Sequence, residues 1–182
     1  TKRETMYSLE FNDKYNPSWI EYTFDQHFLG DGVNLDLRNL YVLTSSRTAS
    51  ASELIINSLA PYMKVVIIGD KTEGKNVGSH SFTDDEKLWT LHPIVCKIYN
   101  KDKESEYKNG FTPDISSGEI DDTYQLEELG NPNELLLNIA LSEITGRTPT
   151  EKAKTRTRAL KTDIKFSSTS IDRKSTPVLL NN

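Results

Sequence analysis

Residues 40–69 read LYVLTSSRTASASELIINSLAPYMKVVIIG, and their pattern is the clearest indication of the fold in this chain. It opens with the apolar run Leu40–Thr44 and closes with a second one, Lys64–Gly69. Near-continuous apolar runs of this length are typical of strands buried on both faces of a parallel sheet. The segment between them ends at Pro61 and spaces its residues as one face of a helix does, a face made of Leu54, Ile55 and Leu59 with Ser58 as a further candidate. The stretch therefore predicts a right-handed β-α-β crossover.

The flanking segments predict further strands and one more helix. Tyr7–Phe11 and Trp19–Phe24 alternate enough to be short strands, and residues 87–99 indicate one or two more. A helix with Pro132 at its first position should end at Gly146. We therefore expect an α/β fold, in which a parallel sheet with crossover helices carries an antiparallel addition after residue 87.

Length and charge limit the possible functions. The 182 residues suit a single domain. Residues 1–146 carry a net charge of −11 and residues 147–182 a net charge of +6. This basic segment contains only one aromatic residue, Phe166, and no RNA-binding signature, so we predict no nucleic-acid binding. We expect it to be an extended or partly disordered arm. No apolar run approaches the roughly 20 residues of a membrane span, and none is predicted.

Cysteine and histidine provide no evidence for a metal or redox site. The single cysteine, Cys96, lies in an apolar run and is interpreted as a small buried hydrophobic residue rather than a catalytic thiol. The three histidines, His27, His80 and His92, are scattered without metal-ligand spacing. The sequence thus predicts neither a metal nor an organic cofactor.

A serine lies where the first strand gives way to the helix, in Thr48-Ala49-Ser50-Ala51-Ser52-Glu53. Backbone N–H groups in the first turn of a helix lack intrahelical partners and can stabilise an oxyanion, so Ala51 N–H is a candidate donor. Alternatively, Thr48 and Ser50 are simply N-caps of the helix. Ser52 competes as nucleophile, but it points about 200° away from Ser50 on the helix.

A lysine follows one crossover later, in Thr72-Glu73-Gly74-Lys75. A neutral lysine can deprotonate a serine, and Ser–Lys sites are an established variant of the serine-nucleophile design. This role requires desolvation or a nearby positive field to lower the lysine pKa. The alternative is that Lys71 and Lys75 are ordinary solvated loop lysines.

These motifs together resemble the C-terminal processing peptidases, or tail-specific proteases. The similarity covers roughly residues 36–146 and includes Gly110-Phe111-Thr112-Pro113-Asp114 and Leu129-Gly130-Asn131-Pro132. It implies Ser50 as nucleophile, Lys75 as general base and a ClpP/crotonase-like fold. Where many relatives have a lysine-orienting glutamine this chain has Ser79, with His80 beside it. Some relatives also have an acidic residue near the position of Pro61, so no Ser-Lys-Asp triad is expected.

The resemblance also sets expectations about the parent protein. Residues 1–146 would be the C-terminal part of a serine protease catalytic domain, with the family's glycine-rich oxyanion segment and PDZ domain upstream and absent from this chain. Polypeptide substrates, those upstream segments as partners, and a cell-envelope location (periplasmic or surface lipoprotein) are implied.

The expected activity is that of a serine endopeptidase, cleaving unfolded or C-terminal tail segments through an acyl-enzyme. A non-catalytic peptide-binding module on the same fold is the alternative. A crotonase-type acyl-CoA enzyme is a further alternative that the fold permits, although such an enzyme needs neither Ser50 nor Lys75.

Overall fold

The computed structural model describes residues 4–15, 18–24, 36–117, 127–128 and 130–148. Leu129 and all but the first two residues of the predicted arm 147–182 lie outside this part of the chain. In order along the chain, the described elements are β1 (Thr5–Phe11), β2 (Trp19–Thr23), β3 (Asn39–Thr44), α1 (Ala51–Leu59), β4 (Lys64–Gly69), β5 (Val77–Ser79), β6 (Phe82–Thr83), β7 (Thr90–Leu91), β8 (Ile94–Tyr99), β9 (Ile115–Ser116) and α2 (Leu135–Thr145).

The predicted β-α-β unit forms a parallel sheet with strand order β3-β4-β9. Strand β3 lies alongside β4 in continuous register from Asn39 opposite Lys64 to Thr44 opposite Gly69. The carboxyl ends of β3 and β4 therefore meet at one edge of the sheet. The loops that carry the candidate serine and lysine both leave from this edge.

Helix α2 packs on the parallel sheet and supplies much of its core. The buried cluster joins sheet residues to helix residues: Val66, Ile68, Leu135, Leu136, Ile139 and Ala140. The helix ends at Gly146 as predicted, in a left-handed conformation with φ 68°. Its predicted start at Pro132 is wrong, because Glu134 is the N-cap and its carboxylate accepts hydrogen bonds from the backbone N–H groups of Leu136 and Leu137.

The second sheet is antiparallel, with strand order β2-β1-β8-β5. The predicted α/β fold with a parallel sheet and an antiparallel addition is confirmed. The prediction that this addition follows residue 87 is wrong, since β1, β2 and β5 all precede that residue. Strand β1 pairs with β2 along one edge and with β8 along the other, so the N-terminal strands complete the sheet.

Helix α1 packs against β1 and β8, and of the residues predicted for its inner face only Ser58 is buried. Its buried residues are Glu53, Ile56, Asn57 and Ser58, whereas the side chain of Ile55 is 54% exposed. Two polar side chains of this face, Glu53 and Asn57, bond to loops whose backbone groups need hydrogen-bond partners. Asn57 Nδ2, for example, donates to the backbone oxygen of Glu104 at 3.2 Å.

Candidate active site

Ser50 is the N-cap of α1 and has an unusual backbone conformation. Its φ of 55° and ψ of −111° lie in a region that non-glycine residues rarely occupy. Such a conformation costs about 1–3 kcal/mol and persists only where the surroundings impose it. Here Ser50 N–H donates to Glu53 Oε2 at 3.0 Å, and Leu54 N–H donates to Ser50 O at 2.8 Å. A serine on a strained strand-to-helix turn is also how hydrolases of the nucleophile-elbow type expose their hydroxyl.

The side chain of Glu53 is the centre of the site. It is fully buried, and its two carboxylate oxygens accept four hydrogen bonds. Oε1 accepts from Thr72 Oγ1 at 2.6 Å and from Gly74 N–H at 2.7 Å. Oε2 accepts from Lys75 N–H at 2.8 Å and from Ser50 N–H at 3.0 Å. One carboxylate thus accepts hydrogen bonds from the backbone N–H groups of both members of the candidate dyad, Ser50 and Lys75.

This arrangement brings the two predicted catalytic positions together. Because the backbone nitrogens of Ser50 and Lys75 both bond to Glu53 Oε2, they lie within about 6 Å of each other. A second link joins the two loops, since Glu73 N–H donates to Thr48 O at 2.9 Å. Within the described part of the chain, the Ser50 and Lys75 side chains form no hydrogen bond with each other. The fold therefore places the pair close together without joining the hydroxyl to the amine.

The lysine loop is held by the segment that follows Tyr107. Thr72 N–H donates to Phe111 O at 3.1 Å, and Phe111 N–H donates to Thr72 Oγ1 at 2.7 Å. Gly110 has φ 80°, and a Cβ there would lie 1.9 Å from Thr72 O. Only glycine allows this approach, so the residue is needed for the backbone to reach the Thr72 turn.

The same segment is anchored to the parallel sheet by its aspartate. Asp114 Oδ2 accepts from Ile67 N–H at 2.7 Å, and Asp114 N–H donates to Ile67 O at 2.8 Å. Tyr107 stacks on Phe111 with ring centroids 4.9 Å apart and is itself buried. Burial, with a smaller contribution from the nearby Glu53 charge, raises the Tyr107 pKa to about 12. The Gly110–Asp114 motif thus bonds to Thr72 through Phe111 and to β4 through Asp114, and these bonds hold the lysine loop against the sheet.

The other predicted site residues lie around this centre. Ala51 is the first residue of α1, and among the described residues its N–H has no hydrogen-bond acceptor, as an oxyanion donor requires. Ser52 is exposed on the helix surface. Ser79 ends β5 with its side chain exposed. The His80 ring contacts Tyr15, with centroids 5.5 Å apart. The roles assigned to Ser50, Lys75, Ala51 and Ser79 stay predictions.

Cys96 is confirmed as a buried residue of β8. Burial is the main factor that raises the pKa of its thiol. Across the described residues, no group of three or more His, Cys, Asp or Glu side chains is placed to hold a metal ion. No helix in the same part of the chain is long and apolar enough to cross a membrane.

Sequence reasoning missed the roles of Glu53 and Thr72. Two signals for them were available. Ser50-x-x-Glu53 has the spacing of a capping box, in which the glutamate reaches back to the N-cap backbone. Thr72 precedes Lys75 in a turn whose backbone donors need buried acceptors. What the sequence could not supply is that one carboxylate serves both loops.

Comparison with known proteins identifies the family. The model of peptidase family S41 matches residues 3–117. The chain belongs to peptidase family S41. The predicted resemblance to the C-terminal processing peptidases is therefore confirmed at the level of this family. Among curated proteins, no relative matches the chain.

Solved structures resemble this S41 chain over most of its length. A protein of Bacteroides fragilis NCTC 9343 that carries the S41 protease name is 38% identical, with a TM-score of 0.70, and the match covers 78% of this chain and 36% of that one. A lipoprotein from Streptococcus agalactiae is 16% identical, with a TM-score of 0.54 and coverage of 80% and 46%. The photosystem II D1 C-terminal processing protease is 20% identical, with a TM-score of 0.46 and coverage of 65% and 28%. The chain thus spans less than half the length of each.

Proposed function

We propose that this chain carries the nucleophile and the general base of a serine endopeptidase with a Ser50–Lys75 dyad. The observation that supports the proposal best is the Glu53 carboxylate, which bonds to the backbone N–H groups of both residues. A shared buried acceptor holds two loops in one relative position, and positioning of this kind contributes strongly to catalysis. Membership of the S41 family supports the peptidase class.

In the proposed reaction, Lys75 Nζ accepts the proton of the Ser50 hydroxyl as Ser50 Oγ attacks the carbonyl carbon of the scissile peptide. Ala51 N–H stabilises the oxyanion, at the positive end of the α1 dipole. The ammonium of Lys75 then returns the proton to the leaving amine, which gives an acyl-enzyme that water hydrolyses. Ser79 is proposed to orient the lysine.

The proposed substrates are unfolded polypeptides or C-terminal tails, and the proposed location is the cell envelope. Resemblance to the C-terminal processing peptidases supports the proposed substrates. The fold shared with a streptococcal lipoprotein agrees with the proposed location. Upstream segments, including a PDZ domain, are proposed partners of the catalytic part.

A non-catalytic peptide-binding module is the second candidate. The observation that favours it is the lack of a hydrogen bond between the side chains of Ser50 and Lys75. Such a module would keep the fold and the binding surface while the hydroxyl stays protonated.

Reaction of the whole natural protein with a fluorophosphonate probe separates the two. We expect labelling of the wild type, and its loss in the Ser50→Ala and Lys75→Ala variants. Lys71→Ala, which changes a nearby exposed loop lysine, is the matched control and should label normally. A folded wild-type protein that does not label would refute the dyad and favour the binding module.

A further inference from the structure

The residues just beyond the candidate lysine form β5, which is an edge strand of the antiparallel sheet among the described residues. Within the described residues, β5 pairs only with β8. The bonds toward β8 are made at Asn76, whose oxygen accepts at 3.0 Å, and at His80, whose N–H donates to Pro93 O at 3.2 Å. In an antiparallel ladder, residues bonded to the neighbour alternate with residues that face away. The register shifts between Gly78, opposite Cys96, and Ser79, opposite Ile94, so the extra residue lies on β8 and β5 keeps this alternation. Val77 and Ser79 therefore direct their N–H and C=O groups to the side opposite β8.

An exposed aromatic cluster includes His80, the residue directly after β5. It consists of Tyr15, His80 and Phe82, whose ring centroids are separated by 5.5 Å, 5.8 Å and 5.1 Å. Tyr15 is 39% exposed and Phe82 is 44% exposed. Three rings from two separate segments thus form one exposed contact surface.

Hydrogen bonds hold the backbone of the Tyr15 turn against β8. Tyr15 is fixed by Asn12, whose side-chain oxygen accepts from Tyr15 N–H at 2.9 Å. Asn12 in turn binds β8, because its N–H donates to Val95 O at 2.9 Å. Its amide nitrogen also donates to Ile94 O, at 3.3 Å. A rigid surface loses little entropy when a ligand binds.

We infer that the β5 edge and the aromatic cluster form a substrate subsite, which selects an extended polypeptide with an aromatic or large aliphatic side chain four to five residues from the scissile bond. The inference rests on the proposed function and names the substrate class of that same site. The spacing follows from the geometry, since the five residue steps from Lys75 to His80 span roughly 16 Å in extended form. An added strand would bond to the outward groups of Val77 and Ser79, while its apolar side chain contacts the rings.

A binding experiment tests the subsite without needing turnover. The probe is a fluorescein-labelled dodecapeptide of Gly, Ser and Thr with a single Phe, and its anisotropy is followed with the whole natural protein carrying Ser50→Ala. We expect the Phe peptide to bind about tenfold more tightly than the same peptide with Ser in that place. Phe82→Ser, and separately Tyr15→Ser, should abolish this preference.

Two controls isolate the cause of the preference. Ile144→Ser removes a similarly exposed apolar side chain, 56% exposed on α2, and should leave the preference intact. Backbone N-methylation, walked along the Phe peptide, should weaken binding at two positions separated by one insensitive residue, as a β-ladder requires. Equal binding of the Phe and Ser peptides, or an N-methyl scan without this alternation, would overturn the inference.

These outcomes are independent of the fluorophosphonate result. If the protein does not label but shows the Phe82-dependent preference, the inferred subsite stands and the proposed Ser50–Lys75 dyad is refuted. If the protein labels normally but has no such preference, the proposed dyad stands and the inferred subsite is refuted.

Discussion

Replacing Glu53 by glutamine tests the central feature of the site. The substitution keeps the shape of the side chain but turns one acceptor oxygen into an NH₂ group. If that group takes the place of Oε2, the N–H groups of Ser50 and Lys75 both lose their acceptor. If it takes the place of Oε1, Gly74 N–H loses its acceptor and the Thr72 hydroxyl must reverse its role. Either orientation leaves a buried donor facing another donor.

The magnitude follows from the number of bonds affected. A hydrogen bond to a charged group contributes about 1.5–3 kcal/mol, and a buried donor left unpaired costs about 1–3 kcal/mol. We therefore expect Glu53→Gln to lower the free energy of unfolding by about 3 kcal/mol, and Glu53→Ala, which leaves all four donors unpaired, by more. Because a displacement of about 1 Å at a catalytic group can cost about 100-fold in rate, fluorophosphonate labelling should slow by about that factor.

Urea titration gives the stability, and labelling is measured under conditions in which the variant is fully folded. Glu143→Gln, which changes an exposed carboxylate on α2, is the matched control and should alter neither quantity. A Glu53→Gln protein with wild-type labelling and an unfolding free energy within about 0.5 kcal/mol of wild type would refute the assigned role of Glu53.

Four further substitutions test the packing around the site. Gly69→Ala should destabilise the protein by several kcal/mol in urea titration, because φ is 128° and the new Cβ would lie 2.0 Å from Thr44 O; a loss below about 1 kcal/mol would contradict this close approach. Gly78→Ala places a Cβ 2.6 Å from Cys96 Sγ, so it should also destabilise, and Cys96→Ala in the same chain should restore part of the loss; strictly additive effects would argue against the contact. Tyr107→Phe removes a buried hydroxyl without a described partner and should leave stability at pH 7 within about 1 kcal/mol of wild type. Because the Tyr107 pKa is raised from 10.0 to about 12, the wild type should lose stability relative to this variant as pH rises from 10 to 12, and parallel stability curves over that range would refute the shift.

The sequence determined the local elements of this protein. The apolar runs of β3 and β4, the helix after Ser50 and the stop at Gly146 all follow from spacing and from residue type, which act over a few neighbouring positions. The family could also be read from the Ser50 and Lys75 motifs, since their identity and spacing are linear features. For the same reason Cys96 could be assigned to a buried strand.

Contacts between distant segments were decided only by the tertiary structure. The antiparallel sheet joins β1 to β8 across more than 80 residues, and no local pattern encodes that pairing. Helix α1 turned the polar side chains of Glu53 and Asn57 inward, where they bond to loops whose backbone groups need hydrogen-bond partners. Glu53 became the centre of the site in the same way: its four donors come from its own turn and from a loop 19 to 22 residues later. A buried charge is stable only where such donors converge, and that convergence is a property of the folded chain.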